Sequence, residues 1–146
     1  MNKNDSPLVS IIIRTKNEER WISKCIEQIF KQNYKNFEII IVDNYSEDNT
    51  LKKIKKFNVN KIIKVKKYLP GNALNKGISA SKGRYCVILS AHCLPVNNNW
   101  LSSLVNTIME HKNYAAVYGR QQPMEFTSDN DKRDLYLIFG LDKKIP

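Results

Sequence analysis

Three clusters of polar and ionisable residues each follow an apolar run. Arg14-Thr15-Lys16-Asn17-Glu18 comes after Val9-Ser10-Ile11-Ile12-Ile13, Asp43-Asn44 after Glu38-Ile39-Ile40-Ile41-Val42, and Ser90-Ala91-His92-Cys93 after Tyr85-Cys86-Val87-Ile88-Leu89. A carboxylate at such a point, Asp43 for instance, can accept charge-assisted hydrogen bonds from a ring N–H or a ribose hydroxyl. The competing reading of Asp43 is an Asx turn through Asn44, Tyr45 and Ser46. No G-x-G-x-x-G follows the first apolar run and no G-x-x-x-x-G-K-[ST] occurs anywhere, which argues against dehydrogenases and P-loop enzymes. A glycine-rich loop followed by arginine, expected of sugar nucleotidyltransferases, is missing too, because Arg14-Thr15-Lys16-Asn17 has no glycine. What remains is a mononucleotide site gripped by side chains.

Such a site needs elements that bring the three clusters together. Short apolar runs alternate with amphipathic segments, the pattern of βαβ units and an α/β fold. Val9–Ile13 predicts a buried first strand, followed by a helix with Ile22, Cys25, Ile26, Ile29 and Phe30 on one stripe. Residues 38–42 predict a second strand. Ser46 is its downstream N-cap candidate, with Glu47 and Asp48 complementing the dipole of a helix through Leu51, Ile54 and Phe57. Residues 62–65 form a weaker third strand. Gly71 opens a short helix that turns Leu74, Gly77 and Ile78 inward, Gly83 stops it, and residues 85–89 form a strong fourth strand. Asn97-Asn98-Asn99 caps a helix with Leu101, Leu104, Val105 and Ile108 on one face, and Ala115 to Tyr118 is a short fifth strand. Right-handed crossovers between parallel strands give a doubly wound, mainly parallel sheet of order 3-2-1-4 with helices on both faces. Ligands of open α/β sheets bind beyond the carboxyl ends of the strands where the order reverses, which is where the three clusters lie.

The 146 residues suffice for one domain with one core, and a 42 % hydrophobic, 26 % charged composition is that of an ordinary soluble protein. The longest apolar stretch, Leu8 to Ile13, is far below the roughly 20 residues that cross a bilayer, and the first residues lack the apolar core of a signal peptide. The expected location is therefore cytoplasmic. Cys25, Cys86 and Cys93 form no C-x-x-C pair and read as reduced thiols, Cys25 and Cys86 as small apolar fillers and Cys93 as packing. The net charge of +10 is concentrated at Lys52, Lys53, Lys55, Lys56, Lys61, Lys64, Lys66 and Lys67. That run reads as a solvated face or as attraction to an anionic partner such as a membrane surface or a phosphorylated substrate. No aromatic residues interleave it, so nucleic acid is not an expected partner.

The runs from Val9 to Glu18 and from Gln32 to Asn44 resemble, in order and spacing, the opening of family-two glycosyltransferases. Gly71-Asn72-Ala73-Leu74-Asn75-Lys76-Gly77-Ile78 and Ser81-Lys82-Gly83-Arg84-Tyr85 are similar to the segment before that family's metal motif, so the match covers residues 8 to about 120. The resemblance implies a Rossmann-like GT-A fold that binds a nucleoside-diphosphate sugar of UDP, GDP or CDP type, with Thr15, Asn17, Glu18 and Asp43 around base and ribose. It implies diphosphate or base contacts for Asn75 and Lys76, although the family's arginine before that asparagine is Leu74 here.

The departure lies at the end of strand four, where the family carries Asp-x-Asp and this chain has Ser90-Ala91-His92. With both carboxylates gone, Mg²⁺ loses its natural ligands. Three accounts fit. His92 ligates a borderline metal such as Mn²⁺, with the diphosphate supplying oxygens; or Lys16, Lys76, Lys82 or a protonated His92 balances the diphosphate without metal; or catalysis is lost. The family's catalytic base lies in an acceptor-binding half that usually follows, and Asp129, Asp131 and Asp134 read as helix capping instead. Residues 1–146 are thus expected to be one nucleotide-sugar-binding domain, with 121–146 starting an incomplete acceptor half, and the apolar residues around Phe139 a docking surface for a partner domain, another chain or a second copy. Two functions follow: inverting transfer of a sugar to a cell-surface polysaccharide or lipid-linked acceptor, or a binding module that is inactive alone.

Overall fold

The computed structural model describes residues 6–66 and 69–139, the side chain of Phe139 excepted; Lys67 and the proposed docking role of Phe139 fall outside what it describes. Four strands, β1 (Val9–Thr15), β2 (Phe37–Asp43), β3 (Lys61–Lys64) and β4 (Tyr85–Ser90), pair in parallel in the order β3-β2-β1-β4. The doubly wound order read from the sequence is the one observed. Register sets Arg14 beside Val42 and Ser90, and Thr15 beside Asp43, so the polar clusters end level with one another.

The helices are α1 (Ile22–Phe30), α2 (Thr50–Ile54), α3 (Pro70–Ser79), α4 (Trp100–Glu110) and α5 (Asp129–Phe139). Because side chains alternate along a strand, Ile12, Ile40 and Val42 share one face, where they form a buried cluster with Val65 and with Ala73 of α3. Ile11, Ile13, Ile39 and Ile41 occupy the other face and are fully or almost fully buried, as are Ile22, Cys25, Ile26 and Ile29 of the α1 stripe. Helices therefore cover both faces. Gln32, fully buried, stitches α4 to this layer: its side chain donates to the carbonyls of Gln28 and Asn97 and accepts from the Leu101 N–H, one of the donors a helix start leaves unmatched.

Several local expectations need correction. Phe30 is 40 % exposed, its ring near those of Phe37 at the start of β2 and Phe57 beyond α2. In α3 the inward residues are Ala73 and Gly77, whereas Ile78 is exposed. The spacing of small residues decides this, since a Cβ on Gly77 would stand 2.5 Å from Ile12 Cγ2 and 3.2 Å from Val42 Cγ2. The helix ends at Ser79, before Gly83, whose role is close backbone approach: a Cβ there would lie 2.5 Å from the Ser10 nitrogen. Ser46 caps no helix; α2 begins only at Thr50, with Asn49 before it, and Phe57 lies beyond it. Cys86 is exposed on β4, which among the described residues has a neighbouring strand on one side only. Residues 115–118 form no strand, because no neighbouring strand among the described residues supplies a ladder and most of the segment is exposed.

The chain divides into two compact units, Met1–Val105 and Asn106–Pro146, the division falling within α4. The sheet and all the candidate site residues belong to the first. In the second, Ser128 and Asp131 cap α5: the Asp131 N–H donates to Ser128 Oγ at 3.2 Å while that hydroxyl donates to Asp131 Oδ2 at 2.6 Å. Capping accordingly accounts for Asp131, as the sequence suggested. Among the described residues no helix is long and apolar enough to cross a membrane.

Candidate functional site

At the carboxyl ends of β1 and β2 the two following loops are sewn together. Asp43, fully buried, accepts from the backbone N–H of Ser46 at 3.0 Å and from its hydroxyl at 2.5 Å, which is the Asx-type turn that competed with a ligand role. The same hydroxyl accepts from the Asn17 N–H at 2.9 Å, and Asn17 Oδ1 accepts from the Glu47 N–H at 2.9 Å. The Glu18 N–H donates to Thr50 Oγ1 at 2.7 Å and the Glu19 N–H to Asp48 Oδ2 at 3.0 Å. Glu19 in return accepts two hydrogen bonds from Asn49, which hold its carboxyl below the usual range, and Lys53 Nζ donates to the Glu19 carbonyl. Lys16 Nζ spends itself on the Asn44 carbonyl at 3.1 Å.

Two residues of these loops, Asn17 (φ 53°) and Tyr45 (φ 49°), hold the left-handed conformation. For an aromatic residue this costs on the order of 1–3 kcal/mol and persists only where the surroundings over-determine it. The interlocked bonds are those surroundings. Tyr45 remains 42 % exposed, with Lys64 Nζ 5.6 Å from its ring centroid.

Beside this rigid pair of loops lie groups with unused bonding capacity. Thr15, only 5 % exposed and next to Asp43 in register, has a buried hydroxyl with no hydrogen-bond partner among the described residues. A buried hydroxyl left unmatched costs about 1–3 kcal/mol, so Thr15 is not where this end of the sheet gains stability. From the third cluster, His92 Nδ1 meets Glu18 Oε1 at 2.8 Å, with side-chain exposures of 58 % and 20 %. Ser90 ends β4 opposite Arg14, its carbonyl accepting from the Cys93 N–H at 2.9 Å. The structure therefore gathers Thr15, Asn17, Glu18, Asp43, Ser90 and His92 at one end of the sheet. Asn75 and Lys76 line a different feature, an open groove of about 490 Å³ between α3 and β3, with Lys61, Ile63 and Asn72.

No group of three or more His, Cys, Asp or Glu residues able to hold a metal exists among the described residues. Neither an oxygen cage for Mg²⁺ nor a mixed ligand set for a borderline cation is assembled there, since His92 and Glu18 make only a pair. The thiols do not compete. Burial pushes Cys25 up to about 12 and also raises Cys93, keeping both protonated at neutral pH.

The sequence reading passed over the loop-to-loop stitching, which rests on Ser46, Asp48 and Thr50. Their spacing after Asp43 signals turns and caps, but nothing in it names a partner thirty residues upstream.

The sequence matches the model of Glycosyl transferase family 2 over residues 10–144. It is 38 % identical over 112 residues to a dolichyl N-acetyl-alpha-D-glucosaminyl phosphate 3-beta-D-2,3-diacetamido-2,3-dideoxy-beta-D-glucuronosyltransferase of Methanococcus voltae, covering 71 % of this chain and 35 % of that protein. It is 30 % identical over 121 residues to a UDP-Glc:alpha-D-GlcNAc-diphosphoundecaprenol beta-1,3-glucosyltransferase of Escherichia coli, covering 81 % and 47 %. The chain thus spans between a third and a half of these relatives. A mannosyltransferase from Pyrobaculum calidifontis in complex with GDP-Man and Mn²⁺ superposes with a TM-score of 0.67 at 23 % identity, over 72 % of this chain and 33 % of that one. TarS from S. aureus in complex with UDP-GlcNAc gives 0.65 at 24 %, over 80 % and 37 %. These likenesses are of fold, and the fold is that of GT-A glycosyltransferases.

Proposed function

The chain belongs to glycosyl transferase family 2, and from that premise we propose that it forms the donor-binding half of an inverting transferase. The donor is a nucleoside-diphosphate sugar, and the acceptor is a lipid-linked or cell-surface glycan. The observation that carries the reading is the convergence of Thr15, Asp43, Ser90 and His92 where β1, β2 and β4 end level with one another, in a chain of this family. A ribose or base edge would enter the opening there. Asn17 and Glu18 border the same opening, and the sugar and diphosphate would extend toward Ser90 and His92. The acceptor site and the base that deprotonates the acceptor hydroxyl are assigned to a further domain, a second chain or another copy. Relatives that act on lipid-linked acceptors support the acceptor class.

The lysine-rich segment is assigned a role at the inner face of a membrane: Lys52, Lys55, Lys56, Lys61, Lys64 and Lys66 are exposed, where they can meet anionic headgroups. Salt-sensitive binding to phosphatidylglycerol vesicles is the expected result, and salt-insensitive or absent binding removes this role.

A second reading, a nucleotide-sugar-binding module without activity of its own, is favoured by the missing carboxylates at the end of β4. Calorimetric titration with UDP, GDP and CDP separates the readings from their common alternative. Binding of at least one nucleotide, weakened in Thr15→Val, is expected of both. Failure to bind any of the three would overturn the donor site itself. Sugar transfer by the chain joined to its acceptor half then decides between transferase and module.

A further inference from the structure

We propose that the groove between α3 and β3 is a binding site for a phosphorylated polyol, separate from the donor opening. Asn75 and Lys76, which the resemblance set against the donor's diphosphate or base, thereby receive a ligand of their own.

One stretch of the chain is built for an anion. Between Asp48 and Glu110 there is no acidic residue, against ten lysines and one arginine, and this stretch supplies α2, β3, α3 and β4. Several lysines elsewhere are spent on the backbone, as Lys16, Lys35 and Lys53 are on the carbonyls of Asn44, Phe30 and Glu19. Lys61 and Lys76 of the groove have no hydrogen-bond or ion-pair partner among the described residues, and neither do the side chains of Asn72, Asn75 and Ser79. The helical period gathers these groups. Asn72, Asn75, Lys76 and Ser79 stand at i, i+3, i+4 and i+7, a single stripe of α3, while Ala73 and Gly77 beside them pack onto the sheet. From β3, Lys61 and Ile63 share one face of the strand and close the groove, whose volume of about 490 Å³ is that of a small-molecule site.

The lining selects the ligand. Two ammonium groups with no carboxylate among the described lining residues call for an anion, and lysine serves phosphate as a point charge. Two amides and a hydroxyl supply donors and acceptors together, the complement of ligand hydroxyls. Among the described residues no aromatic side chain lines the groove to stack a base, so a nucleotide fits it poorly. The groove is also displaced from the donor opening. Lys61 pairs with Ile40, three residues or about 10 Å before the Asp43–Lys64 pair, and β3 lies at the opposite edge of the sheet from β4 with Ser90. A glycerol phosphate headgroup on an anionic lipid and a free polyol phosphate share the required chemistry.

The test is a ¹⁵N-resolved NMR titration of the chain with sn-glycerol 1-phosphate and with inorganic phosphate. Glycerol phosphate is expected to bind more tightly and to shift Asn72, Asn75, Lys76 and Ser79. Lys76→Gln should weaken it about tenfold, as expected for loss of a charged hydrogen bond. Lys52→Gln removes the same charge from an exposed position outside the groove and should change affinity less than about twofold. Asn75→Ala should weaken glycerol phosphate but not inorganic phosphate, and unfolding midpoints control for misfolding. Phosphatidylglycerol vesicles that bind and are displaced by soluble glycerol phosphate identify the lipid as the source; binding of the soluble compound alone identifies the free one. Equal losses in Lys76→Gln and Lys52→Gln, or no shifts at the groove, overturn the site. Equal affinity for the two phosphates overturns the polyol. Displacement of glycerol phosphate by a nucleotide would merge the groove with the donor opening and overturn their separation, whereas failure to bind nucleotides overturns the donor reading alone.

Discussion

The two ends of the same strands carry polar clusters of opposite character. At the amino end Ser10 Oγ donates to Glu38 Oε1 at 2.5 Å and accepts from the Gly83 N–H at 2.8 Å, while Glu38 also accepts from the Lys82 N–H at 2.6 Å. Ser10 is fully buried and Glu38 nearly so, and their polar atoms have partners within the chain. At the carboxyl end Thr15 has no partner for its hydroxyl among the described residues, and His92 turns one ring nitrogen to Glu18 while most of its side chain stays exposed. A closed polar cluster fixes structure; the incomplete one is where the donor is proposed to sit. Composition alone does not separate them, since each cluster pairs a hydroxyl residue with an acid.

The sharpest way to break this contrast is to damage the closed end. Gly83→Ala puts a Cβ 2.5 Å from the Ser10 nitrogen and 2.9 Å from the Leu8 carbonyl oxygen, both backbone atoms that cannot step aside cheaply. A loss of about 3 kcal/mol is expected in urea unfolding, as for overpacked sites. Next is Glu38→Gln, expected to cost about 2 kcal/mol at pH 7 through weakening of charge-assisted bonds. Burial opposes ionisation of Glu38, but the Ser10 hydroxyl and the Lys82 and Gly83 N–H groups outweigh it and hold the carboxyl below its ordinary 4.5. The unfolded chain therefore binds this proton first. The stability supplied by the charge is fully present above about pH 4.5 and disappears as pH falls through the lowered folded value. Unfolding midpoints of wild type and Glu38→Gln should thus converge in acid; a gap that persists at low pH would show that the hydroxyl bond, not the charge, is what counts.

At the open end the expected pattern reverses. Thr15→Val removes a hydroxyl that satisfies nothing among the described residues, so stability should rise by about 1–3 kcal/mol while nucleoside-diphosphate affinity falls about tenfold. Equal losses in both would place Thr15 with the structural cluster instead. The smallest effect is expected for Tyr45→Gly. Relief of the left-handed strain at φ 49° is partly cancelled by the greater freedom of an unfolded glycine, leaving a net gain of about 0.5 kcal/mol in thermal unfolding.

How much of this could be read beforehand follows from what each signal encodes. The strands were legible because Ile11–Ile13 and Ile39–Ile41 are continuous apolar runs, and parallel strands buried on both faces demand that pattern. The predicted ends of the runs fall within two residues of the observed strand ends. Helix faces were less legible: α3 is turned by the small volumes of Ala73 and Gly77, and the sequence reading, right about Gly77, missed Ala73 and put the exposed Ile78 inward. The Ala115–Tyr118 segment shows the same weakness from the other side, since strand propensity without a neighbour makes no strand. The Glu18–His92 contact joins residues 74 apart and carries no sequence period at all. Resemblance had set Glu18 against the nucleoside, and only three-dimensional proximity reveals a second partner for it.

The stitching of the two strand-end loops has a kinetic consequence. Ser46, Asp48, Asn49 and Thr50 hold the 17–19 segment through bonds formed when the chain folds, so a donor bound where it is proposed to sit would meet loops already set. Little ordering remains to be done on encounter, and association should be a single bimolecular step with no slow phase that saturates with concentration. Discrimination among nucleotides would then be expressed in how long each one stays.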